Sequence, residues 1–156
     1  MRFIGTLLIA LLLSLSTNLS GDIKSKKEIG AEAKSKAPHI SAQQLAEELA
    51  GDREFFLLDV RTEAEFEAGH INGAEWLPRG TLEYKIQELV KNPDSRIVLY
   101  CGTGGRSALA VLTLKDMGYT NVVDIEGGFE GWVADGRSFY NRHGELKLIS
   151  GQEEQP

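Results

Sequence analysis

The stretch RIVLYCGTGGRSALAVLTLKDMG, residues 96–118, contains three successive patterns that decide the fold. It opens with a short, mostly apolar run, which is typical of a strand buried on both faces of a sheet. It closes with a run that predicts a helix ending at Gly118. Between the two lies a glycine-rich loop that starts at Cys101, the only cysteine of the chain. The stretch therefore predicts a strand–loop–helix unit with a thiol at the start of the loop.

Strands and helices alternate on both sides of this unit. Further strands are predicted at residues 54–60, 73–78 and 121–126. Further helices are predicted at residues 40–51, 62–69, 81–90 and 127–136. The first two of these helices start with capping boxes, Ser41 with Gln44 and Thr62 with Glu65. This alternation predicts an α/β domain with a mainly parallel sheet and helices on both faces, in which ligands bind at the carboxyl ends of the strands.

Three further segments flank the domain, which we place at residues 38–136. Residues 1–20 combine a positive residue, an apolar run over 3–15 and small polar residues, a layout that predicts a secretory signal and export to the periplasm or medium. A membrane anchor is the alternative, but the apolar run is shorter than the ~20 residues that span a bilayer. Residues 21–37 are rich in lysine and poor in large apolar residues, which predicts a flexible linker. Residues 137–156 form a C-terminal extension whose last six residues are expected to fray.

Composition excludes several classes of protein. The 156 residues suit one domain, and a net charge of −6 without a basic stripe argues against nucleic acid as a partner. Three dispersed histidines and one cysteine give no metal-ligand spacing, and no Gly-Lys-Ser/Thr follows the glycines as in a nucleotide-binding loop. We therefore expect neither a metal nor an organic cofactor. One cysteine cannot form an internal disulfide, so Cys101 is a reactive thiol, part of an intermolecular bridge, or a buried, inert thiol.

The residues around Cys101 favour the reactive thiol. Glycines let the loop backbone curl and point several N–H groups inward, and the following helix adds the positive end of its dipole. A cysteine at a helix N-terminus beside an arginine has a lowered pKa and acts as a nucleophile. The alternative, a structural cysteine in an ordinary turn, leaves the glycines unexplained. The predicted binding loop comprises Gly102, Thr103, Gly104, Gly105, Arg106 and Ser107.

Three motifs, in order, carry a resemblance to a known family. They are LLDVRTEAEFEAGHINGAEWLP at 57–78, IVLYCGTGGRSALAVLTLKDMGY at 97–119 and GGFEGW at 127–132. Together they resemble the rhodanese, or sulfurtransferase, domain over roughly residues 38–136. The resemblance implies the rhodanese α/β fold and a Cys101 that carries a persulfide sulfur. In related phosphatases and arsenate reductases of this fold the loop is one residue longer; here Arg106 follows Cys101 after four residues, which favours sulfur transfer.

The chain departs from the family pattern at Gly102. Many thiosulfate-using members carry a cationic residue directly after the cysteine, so a persulfide or a partner protein is an alternative sulfur donor. We assign supporting roles to Asp59, as active-site support or as a strand-end cap, and to Arg61, which could pair with Glu65 four residues on. Arg79 could reach the pocket mouth and attract an anionic donor, or could be a solvated helix-start residue. His70 belongs to the family signature, and we expect it to be a hydrogen-bonding residue of its turn.

The leading hypothesis is an exported sulfurtransferase of the thiosulfate:cyanide type. Cys101 would take a sulfane sulfur from thiosulfate or a persulfide and pass it to cyanide or a thiol, with no stable membrane span after signal removal. A sulfur carrier with little turnover, or a protein-binding module of the same fold, is the alternative. Thiol–disulfide chemistry is weakened by the missing second cysteine.

Overall fold

A computed structural model describes residues 22–52 and 54–148 of the chain. The strands of its main sheet are β1 (His39–Ile40), β2 (Phe56–Asp59), β3 (Glu75–Trp76), β4 (Ile97–Tyr100) and β5 (Val122–Ile125). The helices are α1 (Lys26–Lys36), α2 (Ala42–Ala50), α3 (Glu63–Ala68), α4 (Leu82–Leu89), α5 (Gly105–Asp116) and α6 (Gly128–Ala134). A 3₁₀ turn covers Arg79–Thr81, and β6 (Phe139–Asn141) and β7 (Gly144–Leu146) form a separate antiparallel hairpin.

The main sheet has the strand order β1-β5-β4-β2-β3, and every neighbouring pair is parallel. Strand β4 lies in the middle and alternates its side chains between two hydrophobic cores. Ile97 and Leu99 pack into the core beneath α1, α4 and α5, and Val98 and Tyr100 pack into the core beneath α2 and α6. The predicted α/β fold, with helices on both faces of a parallel sheet, is confirmed.

The capping residues and loop glycines set where the helices begin and end. Both capping boxes predicted from the sequence are present, at Ser41 for α2 and at Thr62 for α3. Helix α5 begins at Gly105, because Gly104 at φ +91° turns the chain directly into the first helical turn. Its last turn ends before Gly118, which has φ +102°.

The prediction of a flexible linker at 21–37 is wrong, because α1 forms there and packs against α5. A capping box between Ser25 and Glu28 starts the helix, and Glu32 forms ion pairs with lysines on both sides of it in sequence. Its buried face consists of small residues, with Ala33 and Ala37 only 3% and 5% exposed. Small side chains allow two helices to approach closely, so α1 packs on α5 through Ala33 and the C-cap residue Ala37, while its one large apolar residue, Ile29, is 40% exposed.

The C-terminal extension belongs to the domain as far as it is described. The main chains of His70 and Tyr140 pair through two hydrogen bonds, and Trp132 Nε1 donates to the carbonyl of Ser138 at 2.8 Å. The predicted signal at 1–20 and the frayed last six residues lie outside the described residues. Within the described ranges, no helix has the length and apolarity that crossing a bilayer requires.

Candidate active site

Cys101 lies at the carboxyl edge of the sheet, directly after β4, in the loop that leads into α5. We call residues 101–106 the Cys101 loop. The backbone N–H of Gly104 donates to Cys101 Sγ at 3.2 Å, and α5 starts at the next residue. The thiol residue is 1% exposed. The sulfur therefore faces an N–H donor and the positive end of a helix, an arrangement that stabilises negative charge on sulfur.

The first turn of α6 fixes the carbonyls of this loop. Phe129 N donates to the carbonyl of Cys101 at 2.8 Å, and Glu130 N donates to that of Gly102 at 3.0 Å. Gly128 makes this approach possible: it has φ +62°, and a Cβ placed on it would lie 2.5 Å from the carbonyl oxygen of Cys101. The second glycine of the GGFEGW motif is therefore required by the backbone geometry of the site.

A buried polar chain leads from the sulfur to β5. Ser107 Oγ lies 3.7 Å from Cys101 Sγ and 3.1 Å from Asp124 Oδ2, and the hydroxyl donates to that carboxylate. Asp124 is 4% exposed, and burial raises its pKa from 3.8 to about 6. Asp124 was not predicted as a site residue, although an acidic residue inside an otherwise apolar strand is a signal that the sequence contains.

Arg106 forms an ion pair with Glu65 at the mouth of the loop. Its Nη1 and Nη2 donate to the two carboxylate oxygens of Glu65 at 2.9 and 2.6 Å. These hydrogen bonds lower the pKa of Glu65 to about 2 and raise the pKa of Arg106. The Arg106 side chain is 43% exposed. The guanidinium therefore sits beside the thiol with most of its charge balanced by a carboxylate from α3.

The expected pair of Arg61 with Glu65 is wrong. Arg61 donates instead to Asp59, with Nη2 2.6 Å from Oδ2 and Nε 2.9 Å from Oδ1, in a pair that is almost fully buried. Its Nη2 also donates to the carbonyl of Gly69, and its guanidinium lies 4.1 Å from the ring centroid of Phe129. The pair ties the end of β2 to α3 and α6, so Asp59 and Arg61 support the site without contacting the sulfur.

A cavity of about 740 Å³ opens in front of the Cys101 loop. One side is lined by the loop together with Leu109 of α5, and the other side by α1. We call Lys26, Lys27, Ile29, Gly30, Ala31 and Lys34 the α1 wall. Among residues 22–52 and 54–148, no group of three or more His, Cys, Asp and Glu side chains is placed to hold a metal ion. The cavity thus gives a small molecule space beside the thiol.

Comparison with known proteins identifies this arrangement. The family described as "Rhodanese-like domain" matches residues 41–135. The chain belongs to this family. The resemblance found in the sequence is therefore confirmed, and α1, which lines the cavity, lies outside the matched residues.

Individual rhodanese relatives point to sulfur transfer. A sulfurtransferase of Allochromatium vinosum is 34% identical over 97 residues, which cover 62% of this chain and 89% of that protein. A putative sulfur carrier protein of Bacillus subtilis, YrkF, is 31% identical over 124 residues, which cover 76% of this chain and 66% of the Bacillus protein. This chain thus spans about two thirds of the Bacillus protein. The relatives support a general role in sulfur transfer.

A solved structure shares the fold. A protein of unknown function from Rhodopseudomonas palustris, described as a possible tyrosine phosphatase, superposes with a TM-score of 0.65 and 32% identity. The match covers 73% of this chain and 92% of that one.

Two other residues singled out in the sequence lie away from the rhodanese cavity. Arg79 donates to Glu83 at 2.6 Å and to the Thr113 hydroxyl at 3.0 Å, and it is not among the residues that line the cavity. His70 stacks on Phe66, and its Nδ1 lies 3.0 Å from the carbonyl of that residue. Arg79 is therefore placed as a link between α4 and α5 rather than at the pocket mouth, and His70 fixes its turn.

Proposed function

We propose that this protein is a sulfurtransferase in which Cys101 alternates between a thiolate and a persulfide. The observation that carries the proposal is the position of Cys101 Sγ, 3.2 Å from the N–H of Gly104 at the start of α5 and at the base of an open cavity. With thiosulfate as donor, the thiolate attacks the outer sulfur, the S–S bond breaks, and sulfite leaves with the bonding electron pair. The persulfide anion that remains carries one negative charge.

The second half of the reaction regenerates the enzyme. Cyanide, or the thiolate of an acceptor, attacks the terminal sulfur of the persulfide, and Cys101 leaves as the thiolate. Thiocyanate or a new persulfide is released, so atoms and charge balance without an oxidant. The Gly104 N–H and the α5 dipole stabilise the anionic sulfur in both forms of the enzyme.

A sulfur carrier is the second candidate. The pairing of Arg106 with Glu65 leaves less free positive charge for a dianion such as thiosulfate, and one relative is named a putative sulfur carrier. A carrier would accept one sulfur on Cys101 and release it only to a particular partner. Steady-state turnover with a small acceptor distinguishes the two candidates.

The test uses protein lacking residues 1–20, which keeps every described element, as wild type and as Cys101→Ser. Each is incubated with thiosulfate or an organic persulfide, and the intact mass is recorded before and after cyanide is added. We expect the wild type alone to gain one sulfur, about 32 Da, and to produce thiocyanate over many turnovers. An adduct without turnover would favour the carrier. Absence of an adduct with both donors would refute sulfur transfer at Cys101.

We also propose export by residues 1–20, on the strength of their charged start and apolar centre. The full chain would be expressed in a bacterium, followed by cell fractionation and mass measurement of the N-terminus. We expect a shortened chain in the periplasm or medium. A full-length chain that stays in the cytoplasm would refute export, and one retained in the membrane would support the anchor.

A further inference from the structure

Helix α1 contacts the Cys101 loop through Lys34 and Gly30. Lys34 Nζ donates to the carbonyl of Thr103, and a Cβ placed on Gly104 would lie 3.1 Å from Lys34 Cε. Gly30 of the same helix faces Gly105, so the two backbones meet without intervening side chains. The stem of Lys34 therefore packs on the loop that holds the thiol. Its ammonium has three donors, of which Thr103 takes one.

The charges around the cavity are unevenly distributed. On the side of Gly102, Glu65 pairs with Arg106, and a Cβ placed on Gly102 would lie 3.5 Å from Glu130 Oε1, so two carboxylates accompany one guanidinium. On the opposite side, the α1 wall contributes three lysines, and the carboxylate that faces one of them, Lys34, is that of Asp124 beneath Gly104. An anion that enters the cavity is therefore attracted towards α1 rather than towards Arg106.

We propose that Lys34 is the donor-binding residue of this enzyme, holding the anionic end of the sulfur donor beside Cys101. This inference rests on the proposed sulfurtransferase function. The ligand chemistry is a sulfane sulfur attached to an oxyanion, and Lys34 binds the oxyanion while the thiolate attacks the sulfur. The residue lies outside the residues that the family match covers, so α1 supplies the cation that Gly102 does not.

The test compares Lys34→Gln with a matched control, Lys36→Gln. Lys36 lies on the same helix and pairs with Glu32 at 2.6 Å, and it is not among the residues lining the cavity. Both variants lose one positive charge from α1. Two donors are used, thiosulfate with two negative charges and methanethiosulfonate with one, with cyanide as the acceptor. For ping-pong kinetics, kcat/KM for the donor reports only the half-reaction that loads sulfur onto Cys101.

We expect Lys34→Gln to lower kcat/KM for thiosulfate by about tenfold, mainly through KM, because a charge-assisted hydrogen bond is lost at a partly hydrated site. The loss should be smaller for methanethiosulfonate, and Lys34→Arg should restore most of the activity. Lys36→Gln should match the wild type. Circular dichroism and thermal melts confirm that each variant is folded.

Three outcomes would overturn the inference. Equal kcat/KM in Lys34→Gln and Lys36→Gln would show that Lys34 does not bind the donor. An equal loss with both donors, or a loss confined to kcat at saturating donor, would assign Lys34 to support of the loop. Failure of the proposed function is distinguishable, because the wild type itself would then form no sulfur adduct with any donor.

Discussion

Asp124 makes the stability of this protein dependent on pH. Its carboxylate is buried beneath the Cys101 loop, and although Ser107, His39 and Lys34 favour the charged form, burial dominates and raises the pKa from 3.8 to about 6. An unfolded chain releases this proton near pH 4, whereas the folded chain keeps it until about pH 6. The stability that this group contributes is therefore fully present below pH 4 and is lost as the pH rises through 6. The difference of about two pH units amounts to about 3 kcal/mol at neutral pH.

Asp124→Asn removes the titration and keeps the shape, because the amide oxygen can still accept the hydrogen bond from Ser107. Urea unfolding of both proteins at pH 4, 6 and 7.5 gives the difference in free energy of unfolding at each pH. We expect the free energy of unfolding of the variant, relative to that of the wild type, to rise by about 3 kcal/mol between pH 4 and pH 7.5. Glu65, whose pKa is lowered, has the opposite pH dependence, but it is present in both proteins and cancels in the difference. A difference that stays constant across this range would refute the argument from burial.

Three further substitutions test the surroundings of the loop. Gly128→Ala places a methyl group against the loop carbonyls, at a residue with positive φ, and should lower the free energy of unfolding in urea by about 2–3 kcal/mol. An unchanged urea midpoint would show that the loop shifts to accommodate the methyl group. Glu65→Gln keeps the capping box but leaves the positive charge of Arg106 uncompensated, so KM for thiosulfate should fall a few-fold in steady-state assays. An unchanged KM would show that Arg106 does not interact with the donor. Arg61→Met leaves the carboxylate of Asp59 buried without its partner and should cost about 3–5 kcal/mol in thermal or urea unfolding; a loss under 1 kcal/mol would mean that water reaches the carboxylate.

The centre of the fold could be predicted because its signals are local. The apolar run of β4, the glycines after Cys101 and the two capping boxes each specify a structure within a few residues. The predicted pairing of Arg61 with Glu65 is wrong for a local reason as well. Spacing of four residues brings two side chains together only within a helix, and Arg61 precedes the cap residue Thr62. Outside the helix, the adjacent buried Asp59 is the stronger partner.

The polar surroundings of the sulfur could not be predicted in the same way. Asp124 reaches Ser107 across 17 positions, and Glu65 reaches Arg106 across 41. Both contacts depend on the order of strands, because β5 and β2 lie on either side of β4. This order places Asp124 of β5, and Glu65 in the helix that follows β2, at the carboxyl edge of the sheet where Cys101 lies. Alternation of strands and helices indicates a parallel sheet, but it does not say which strands are neighbours.

The prediction of a flexible linker at residues 21–37 is wrong for a different physical reason. Burial is usually recognised by large apolar residues, but the face of α1 that packs on α5 consists of Ala33, the C-cap residue Ala37 and Gly30, which gain contact by close approach rather than by size. Lysines on the rest of the helix are typical of a solvated linker, but three of them, Lys26, Lys27 and Lys34, line the Cys101 cavity. The same close approach that hides the helix from a hydrophobicity pattern brings Lys34 onto the loop. Helix α1 thus supplies the residue that we propose binds the sulfur donor, in a segment whose sequence pattern favours a solvated linker.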